Sequence, residues 1–291
     1  MTNSVKEIAA SLAIAVLLLA SACGSGTEEP HSTAEAQPTV PVAVATQPEA
    51  PPTPEFPDLQ AELTDDRFRS TASPLGNFDF KNFTYPLPRG WQNPDNADIT
   101  LTNGRLEPVS VATDVGMDPD ELAQRKARRR IGMSHVATKF MDANGDGADE
   151  AIVILKIETT GNAIPQVVYV YEWKDEQPAL IWRFRTGDRA DGGLKDIRME
   201  DGNLVIELYG QDRYILGETE TLKITGDEEQ LCCPTFYTRT FYKWNGNQFL
   251  RQNQRLTFSV EDPNAAPLEN FGEIMNDPVK SKKYLEANRR P

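Results

Sequence analysis

Residues Gln166 to Arg185 read QVVYVYEWKDEQPALIWRFR, and this stretch decides the fold. Val167, Tyr169, Tyr171 and Trp173 fall on one face of the first half. Leu180, Trp182 and Phe184 in the second half oppose Arg183 and Arg185. Side chains that alternate with period two belong to strands. The short polar link from Lys174 to Pro178 predicts a hairpin between them. The Tyr169–Tyr171–Trp173 face fits either a packed core or a sugar-stacking platform, and core is the commoner use of a central aromatic strand.

The same reading extends in both directions. Ala151 to Glu158 (AIVILKIE) is a β-branched, apolar run. Lys195 to Glu200 and Leu204 to Tyr209 flank an Asp201-Gly202-Asn203 turn. Thr235 to Trp244 and Gln248 to Leu250 flank Asn245-Gly246. Asn103-Gly104, inside Ile99 to Pro108, predicts a further hairpin. Tight turns between successive strands imply antiparallel pairing. One helix is well signalled: Asp118 as N-cap, Pro119 at the first position, Glu121 at the third, then a basic run ending at Arg130. A second is expected around Ser281 to Asn288. The expected fold class is mainly β: antiparallel sheet, as a sandwich or propeller-blade-like, with one or two short helices and a disordered N-terminal tether.

The chain has 291 residues, with 44 Asp and Glu against 30 Lys and Arg, a formal net charge of -14. Nucleic acid is a poor partner for such a balance, because phosphate binding needs a basic footprint. The charge is unevenly spread over three segments. Residues 1–22 carry Lys6 and then a 15-residue run from Ile8 to Ala22, too short to span a bilayer and suited to a signal-peptide core. Residues 24–60 hold 8 of the 21 prolines and six acids with no Lys or Arg, so they read as a disordered tether. Fully extended, the tether reaches on the order of 100 Å at ~3.1 Å per residue. Residues 61–291 keep a net -8 and are long enough for one substantial domain or two small ones.

The end of the apolar run, Leu19-Ala20-Ser21-Ala22-Cys23, resembles the lipobox of bacterial lipoproteins. The resemblance implies cleavage before Cys23, acylation of that cysteine, and an exported protein anchored to the membrane of a bacterial cell envelope. In a Gram-negative organism Gly24 would direct it to the outer membrane. More than one acyl chain makes such an anchor stable.

The sharpest chemical motif is Asp142-Ala143-Asn144-Gly145-Asp146-Gly147-Ala148-Asp149-Glu150. Oxygen-bearing side chains stand at positions 1, 3 and 5, glycine at 6 and a carboxylate at 9, and calcium takes six to eight oxygens. An EF-hand needs glutamate at position 12, which here is Val153. The loop resembles the calcium loops of FG-GAP and VCBS repeats, the integrin-α-type blades in which the loop leads into a strand. By that resemblance Asp142, Asn144, Asp146 and Glu150 are side-chain ligands and the Ala148 carbonyl contributes, with calcium as the cofactor. A single copy occurs, whereas a propeller needs several blades. The other reading is a metal-free turn whose side chains bond its own amides.

Cys232 and Cys233 are adjacent and are the remaining cysteines besides Cys23. Three readings stand: a vicinal disulfide, buried free thiols, or a redox or metal pair. Thr186 to Asp196 packs Asp188, Arg189, Asp191, Lys195 and Asp196 around three glycines. These five form either a ligand site or, more commonly for such loops, a polar turn with internal ion pairs. Catalytic signatures are lacking: His31 lies in the tether, His135 is the domain's single histidine, and no nucleophile elbow, phosphate loop or zinc-helix motif occurs. The expectation is a non-enzymatic, calcium-stabilised envelope lipoprotein that binds a protein or glycan partner. The alternative is an envelope hydrolase acting on a glycan through carboxylates the sequence does not single out.

Overall fold

The computed structural model describes residues 58–87, 93, 98–109, 116–158, 165–221 and 232–287. The expected signal peptide, Cys23 and the tether as far as residue 57 lie outside them. The described part belongs to a compact unit, Thr53–Pro291. Among the described residues no helix is long and apolar enough to cross a membrane.

The chain runs α1 (Ala61–Thr64), β1 (Thr84–Tyr85), β2 (Ile99–Thr100), β3 (Arg105–Leu106), α2 (Pro119–Lys126) and β4 (Gly132–Met141). Then come β5 (Glu150–Glu158), β6 (Gln166–Lys174), β7 (Gln177–Arg185), β8 (Leu194–Glu200) and β9 (Asn203–Tyr209). The remainder is β10 (Ile215–Leu216), β11 (Thr219–Glu220), β12 (Phe236–Trp244), β13 (Phe249–Ser259), β14 (Leu268–Glu269), α3 (Phe271–Asn276) and α4 (Pro278–Ala287). A seven-stranded sheet has the order β10-β11-β7-β6-β5-β4-β3, a five-stranded sheet β14-β13-β12-β9-β8, and β1-β2 form a third. Pairing is antiparallel except between β11 and β7. The molecule is mainly β, as expected.

Two hydrophobic cores explain the layering. The first takes Ile152, Ile154, Val168, Val170 and Phe184 from the large sheet and Ile197, Leu204, Ile206, Leu208, Tyr242 and Phe249 from the five-stranded sheet. Two sheets therefore pack face to face, in the manner of a sandwich. The second core lies on the other face of the large sheet, where Val153, Leu155, Val167, Tyr169 and Tyr171 meet Leu75, Phe80, Tyr85, Ile99 and Leu101. β5 and β6 are thus covered on both sides, which is why AIVILKIE is apolar almost throughout. Tyr169 and Tyr171 are core and not a binding platform: Tyr169 donates to the Pro86 carbonyl at 2.7 Å. Both cores consist of residues from Leu63 onward, so Thr53–Pro291 carries its own core and folds as an independent unit.

The turns follow their chemistry. Asp175 and Glu176, at φ 51° and 61°, join β6 to β7 in a two-residue link, as Asp201 and Gly202, at 50° and 72°, join β8 to β9. The Asn103-Gly104 turn also forms, with φ of 53° and 80°, but the expected hairpin does not extend beyond a Thr102–Arg105 bridge. Its two arms part company: β2 pairs with β1, and β3 pairs with β4. His135 donates its backbone amide to the Gly104 carbonyl at 2.7 Å, which commits the turn to the large sheet.

Other boundaries shift. α2 ends at Lys126 and not at Arg130, because Arg130 is drawn into a bridge with Val109 leading to β4. Its N-cap is as read: Asp118 Oδ1 accepts from the amides of Asp120 at 2.9 Å and Glu121 at 3.4 Å. α4 begins at Pro278, three residues earlier than expected, with Asp277 Oδ1 accepting from Val279 and Lys280. Among the described residues the α-helices number four, all short, beside a 3-10 turn at Pro74–Asn77. β13 reaches Ser259, far beyond Leu250. Part of the expected tether is docked: Tyr209 donates to the Leu59 carbonyl at 3.3 Å.

Candidate metal centre

The loop 142–149 closes the β4–β5 hairpin, with Met141 and Glu150 paired at its base. Gly145 and Gly147 have φ of 82° and 90°, a region closed to most side-chain-bearing residues, and this tightens the loop into successive Asx turns. Asp142 accepts from the amides of Gly145 at 2.8 Å and Gly147 at 3.1 Å. Asn144 Oδ1 accepts from Asp146 and Asp146 Oδ1 from Ala148, both at 2.8 Å. Glu150 Oε2 accepts from Ala143 at 2.8 Å and Asn144 at 3.0 Å. The Asn144 side-chain amide donates to Glu150 Oε1 at 3.0 Å and Asp146 Oδ2 at 3.2 Å, cross-linking the two carboxylates. Asp142, Asn144, Asp146, Ala148 and Glu150 are thus tied into one turn.

The electrostatics of this turn are one-sided. No Lys or Arg among the described residues pairs with Asp142, Asp146 or Glu150. Burial pushes the Glu150 carboxyl up to about 7, the two amides it accepts pull it down, and the neighbouring Asp146 and Asp142 raise it further. A shift of this cause means that the charged form lacks compensation. Asp149 faces away and accepts from Thr71 Oγ1 at 2.6 Å, tying the loop to the N-terminal segment. Beside the loop lies an open cleft of about 510 Å3 whose lining includes Asn144, Asp146, Glu172, Lys174, Trp244 and Asn247.

A second acidic group escapes sequence reading. Glu62, Asp196 and Glu207 bring ligand atoms within 4.8 Å of one another, closer than the loop carboxylates. This group already has its cations. Lys139, fully buried, reaches Asp196 at 3.2 Å, and Lys195 joins Glu62 to Glu207. Arg198 contacts both Asp196 and Glu207 at 3.0 and 3.1 Å, Arg67 meets Asp196, and Arg239 meets Glu207 at 2.7 Å. These cations hold the Glu207 carboxyl below its usual range despite burial. With Asp65 sharing Arg67 and Lys139, and Glu200 sharing Arg198, five cations balance five acids and leave no charge for a metal to neutralise, so this is an ion-pair network that pins α1 to β8 and β9.

The network also divides the glycine-rich loop. Lys195 and Asp196 belong to it, helped by a register shift between Leu194 and Asp196 that turns both toward the same charges. Asp188, Arg189 and Asp191 stay in the turn: Asp188 bridges Asp191, Arg189 pairs with Asp188 at 3.4 Å, and Asp191 pairs with Arg213 at 3.1 Å. The five residues expected as one ligand group thus divide between two sets of ion pairs. The sulfurs of Cys232 and Cys233 lie 2.7 Å apart, just before β12. His135 stands on β4 with its ring bonded to Thr138 at 2.8 Å, its pKa lowered to about 4 by burial and by Lys81 and Arg69.

Sequence signals for the network were faint: one lysine in Gly132–Met141, on the core face of β4, and one glutamate in Asn203–Tyr209, on the face of β9 opposite Leu204, Ile206 and Leu208. Comparison of the chain with protein families, with curated proteins and with solved structures finds no match. The class that fold and site define is therefore a β-sandwich-like domain carrying one uncompensated acidic turn.

Proposed function

We propose that the chain is a non-enzymatic lipoprotein, exported and anchored through Cys23 to the bacterial cell envelope, whose β domain is stabilised by calcium at Asp142–Glu150 and holds a protein or glycan partner. The observation that carries the metal reading is the charge balance of the turn. Three carboxylates and an amide share one nine-residue turn with no basic side chain paired to them among the described residues, while a network elsewhere in the same domain is paired with cations. A divalent cation supplies what the turn lacks: its charge, and a centre for oxygen ligands. Asn144 then presents Oδ1 where its amide nitrogen now bridges Asp146 and Glu150, the two ends of that group being interchangeable by rotation. The cation would lock the β4–β5 hairpin at its turn. Trp244, Asn247, Glu172 and Lys174 in the adjoining cleft suit a glycan, offering a ring to stack on and groups to bond hydroxyls.

Thermal melting of residues 53–291 with calcium and with chelator tests this. Calcium at 100 times its dissociation constant adds about 2.7 kcal/mol of stability. Asp146 is exposed, so Asp146→Asn leaves the fold and abolishes the shift. An identical melt with calcium and chelator, at millimolar levels, rules the metal out.

A further inference from the structure

On the far side of the β12–β13 turn from the acidic loop lies a second cleft, of about 380 Å3, between that turn and the β10–β11 hairpin. Its inner surface is Trp182, Ile215, Tyr242 and Phe249. The Trp182 and Phe249 rings stack at 4.8 Å and Tyr242 lies 5.4 Å from Trp182, so the floor is a packed aromatic surface. The floor offers no free polar group. Tyr242 Oη accepts from the Ile215 amide at 2.8 Å and donates to its carbonyl at 2.9 Å, and Trp182 Nε1 donates to Gly217 at 3.4 Å. Leu216, 65% exposed, and Leu250, 43% exposed, form an apolar rim. A concave apolar slot with a few polar groups at its mouth is the usual form of a small-molecule site.

The polar groups at the mouth indicate the head group. Glu218 is engaged by Arg183 at 3.4 Å. Arg251 has no such partner. Its guanidinium stacks over Tyr214 at 4.7 Å and donates to the Gln252 carbonyl at 3.2 Å, and no carboxylate among the described residues pairs with it. A guanidinium held by stacking, with donors to spare, is arranged to take a carboxylate.

We propose that this cleft binds a medium-chain alkyl carboxylate, its chain in the Trp182–Tyr242–Phe249 slot and its carboxylate on Arg251. At about 380 Å3 the cleft lies near the small end of the roughly 300–1,000 Å3 usual for small-molecule sites, a size that suits a chain of roughly ten carbons. No residue of Asp142–Glu150 lines it, so the proposal is independent of calcium.

The test is isothermal titration of residues 53–291 with decanoate below its micellar concentration, in chelator, alongside uncharged 1-decanol. Decanoate binds one to one; Arg251→Gln weakens it about tenfold or more and leaves 1-decanol unchanged. Leu216→Asp weakens both, because it places a charge on the apolar rim. Leu216 is exposed, so this variant keeps its fold, which circular dichroism verifies, and it decides the matter even where Arg251→Gln does not fold. Absence of saturable decanoate binding overturns the proposal, as does unchanged affinity in either folded variant. A failed calcium melt with intact decanoate binding would overturn the metal reading alone.

Discussion

Glu150 holds Asn144 at both ends: its Oε2 accepts the Asn144 backbone amide and its Oε1 the Asn144 side-chain amide, each at 3.0 Å. The acid at the foot of β5 thereby shapes the turn that precedes it. Its position at the base of the hairpin buries it, and burial is the source of its raised pKa of about 7.

That shift sets a pH dependence. A carboxyl whose folded pKa exceeds its unfolded value of 4.5 stabilises the fold in its protonated form. Without metal, stability from Glu150 falls as pH rises from about 4.5 to about 7. His135 acts oppositely, its lowered pKa of about 4 adding stability as pH rises toward 6.5. The difference in denaturant midpoint between wild type and Glu150→Gln isolates the first effect. In chelator, Glu150→Gln gains on wild type between pH 5 and 7.5, and calcium removes or reverses that gain.

Glu207 gives the contrary sign. Its folded pKa lies below 4.5, so its contribution is complete above that value and is lost as pH falls through the folded one. Glu207→Gln leaves Lys195, Arg198 and Arg239 short of an acceptor. The expected cost is about 3–5 kcal/mol, as for breaking a buried pair from one side. Urea unfolding at pH 7 measures it, and divalent cations restore none of the loss.

Asp212 joins the C-terminal helices to the sheet. It receives Arg255 Nε at 2.7 Å and Nη2 at 3.1 Å, and the Gly272 amide at the start of α3 at 2.8 Å. Asp212→Ala strands a buried guanidinium and an amide, a loss of about 3–5 kcal/mol. Hydrogen exchange should show α3 and α4 losing protection before the strands do.

Gly132 begins β4 against the backbone of β3. A Cβ there would stand 2.1 Å from the Leu106 carbonyl oxygen. Gly132→Ala therefore forces β3 off the edge of the large sheet. A fall in melting temperature of several degrees follows from a loss of about 1–3 kcal/mol.

The strands from Glu150 to Tyr209 were legible because period-two patterning and two-residue turns are local properties. β4 was not, because a register shift between His135 and Ala137 sends Met133 to one core and Ala137 and Met141 to the other. Lys139 interrupts its apolar face, and only its distant partner Asp196 makes a buried lysine tolerable there. β13 was hidden likewise: its polar Arg251 to Arg255 run shows its strand character only when paired with β12. The oxygen spacing of Asp142–Glu150 was readable because the whole turn spans nine consecutive residues.

The sequence by itself determined the strand-rich class, the tight turns, the N-cap at Asp118 and the acidic turn, each set by neighbours within about ten residues. Tertiary structure alone decided how the Asn103-Gly104 arms divide between sheets and which acids are neutralised. It also decided that Lys195 and Asp196 serve an ion network while Asp188 and Asp191 serve a turn. Those outcomes depend on Coulomb and packing energies between segments well outside any local window, up to Glu62 with Lys195, and no local pattern encodes them.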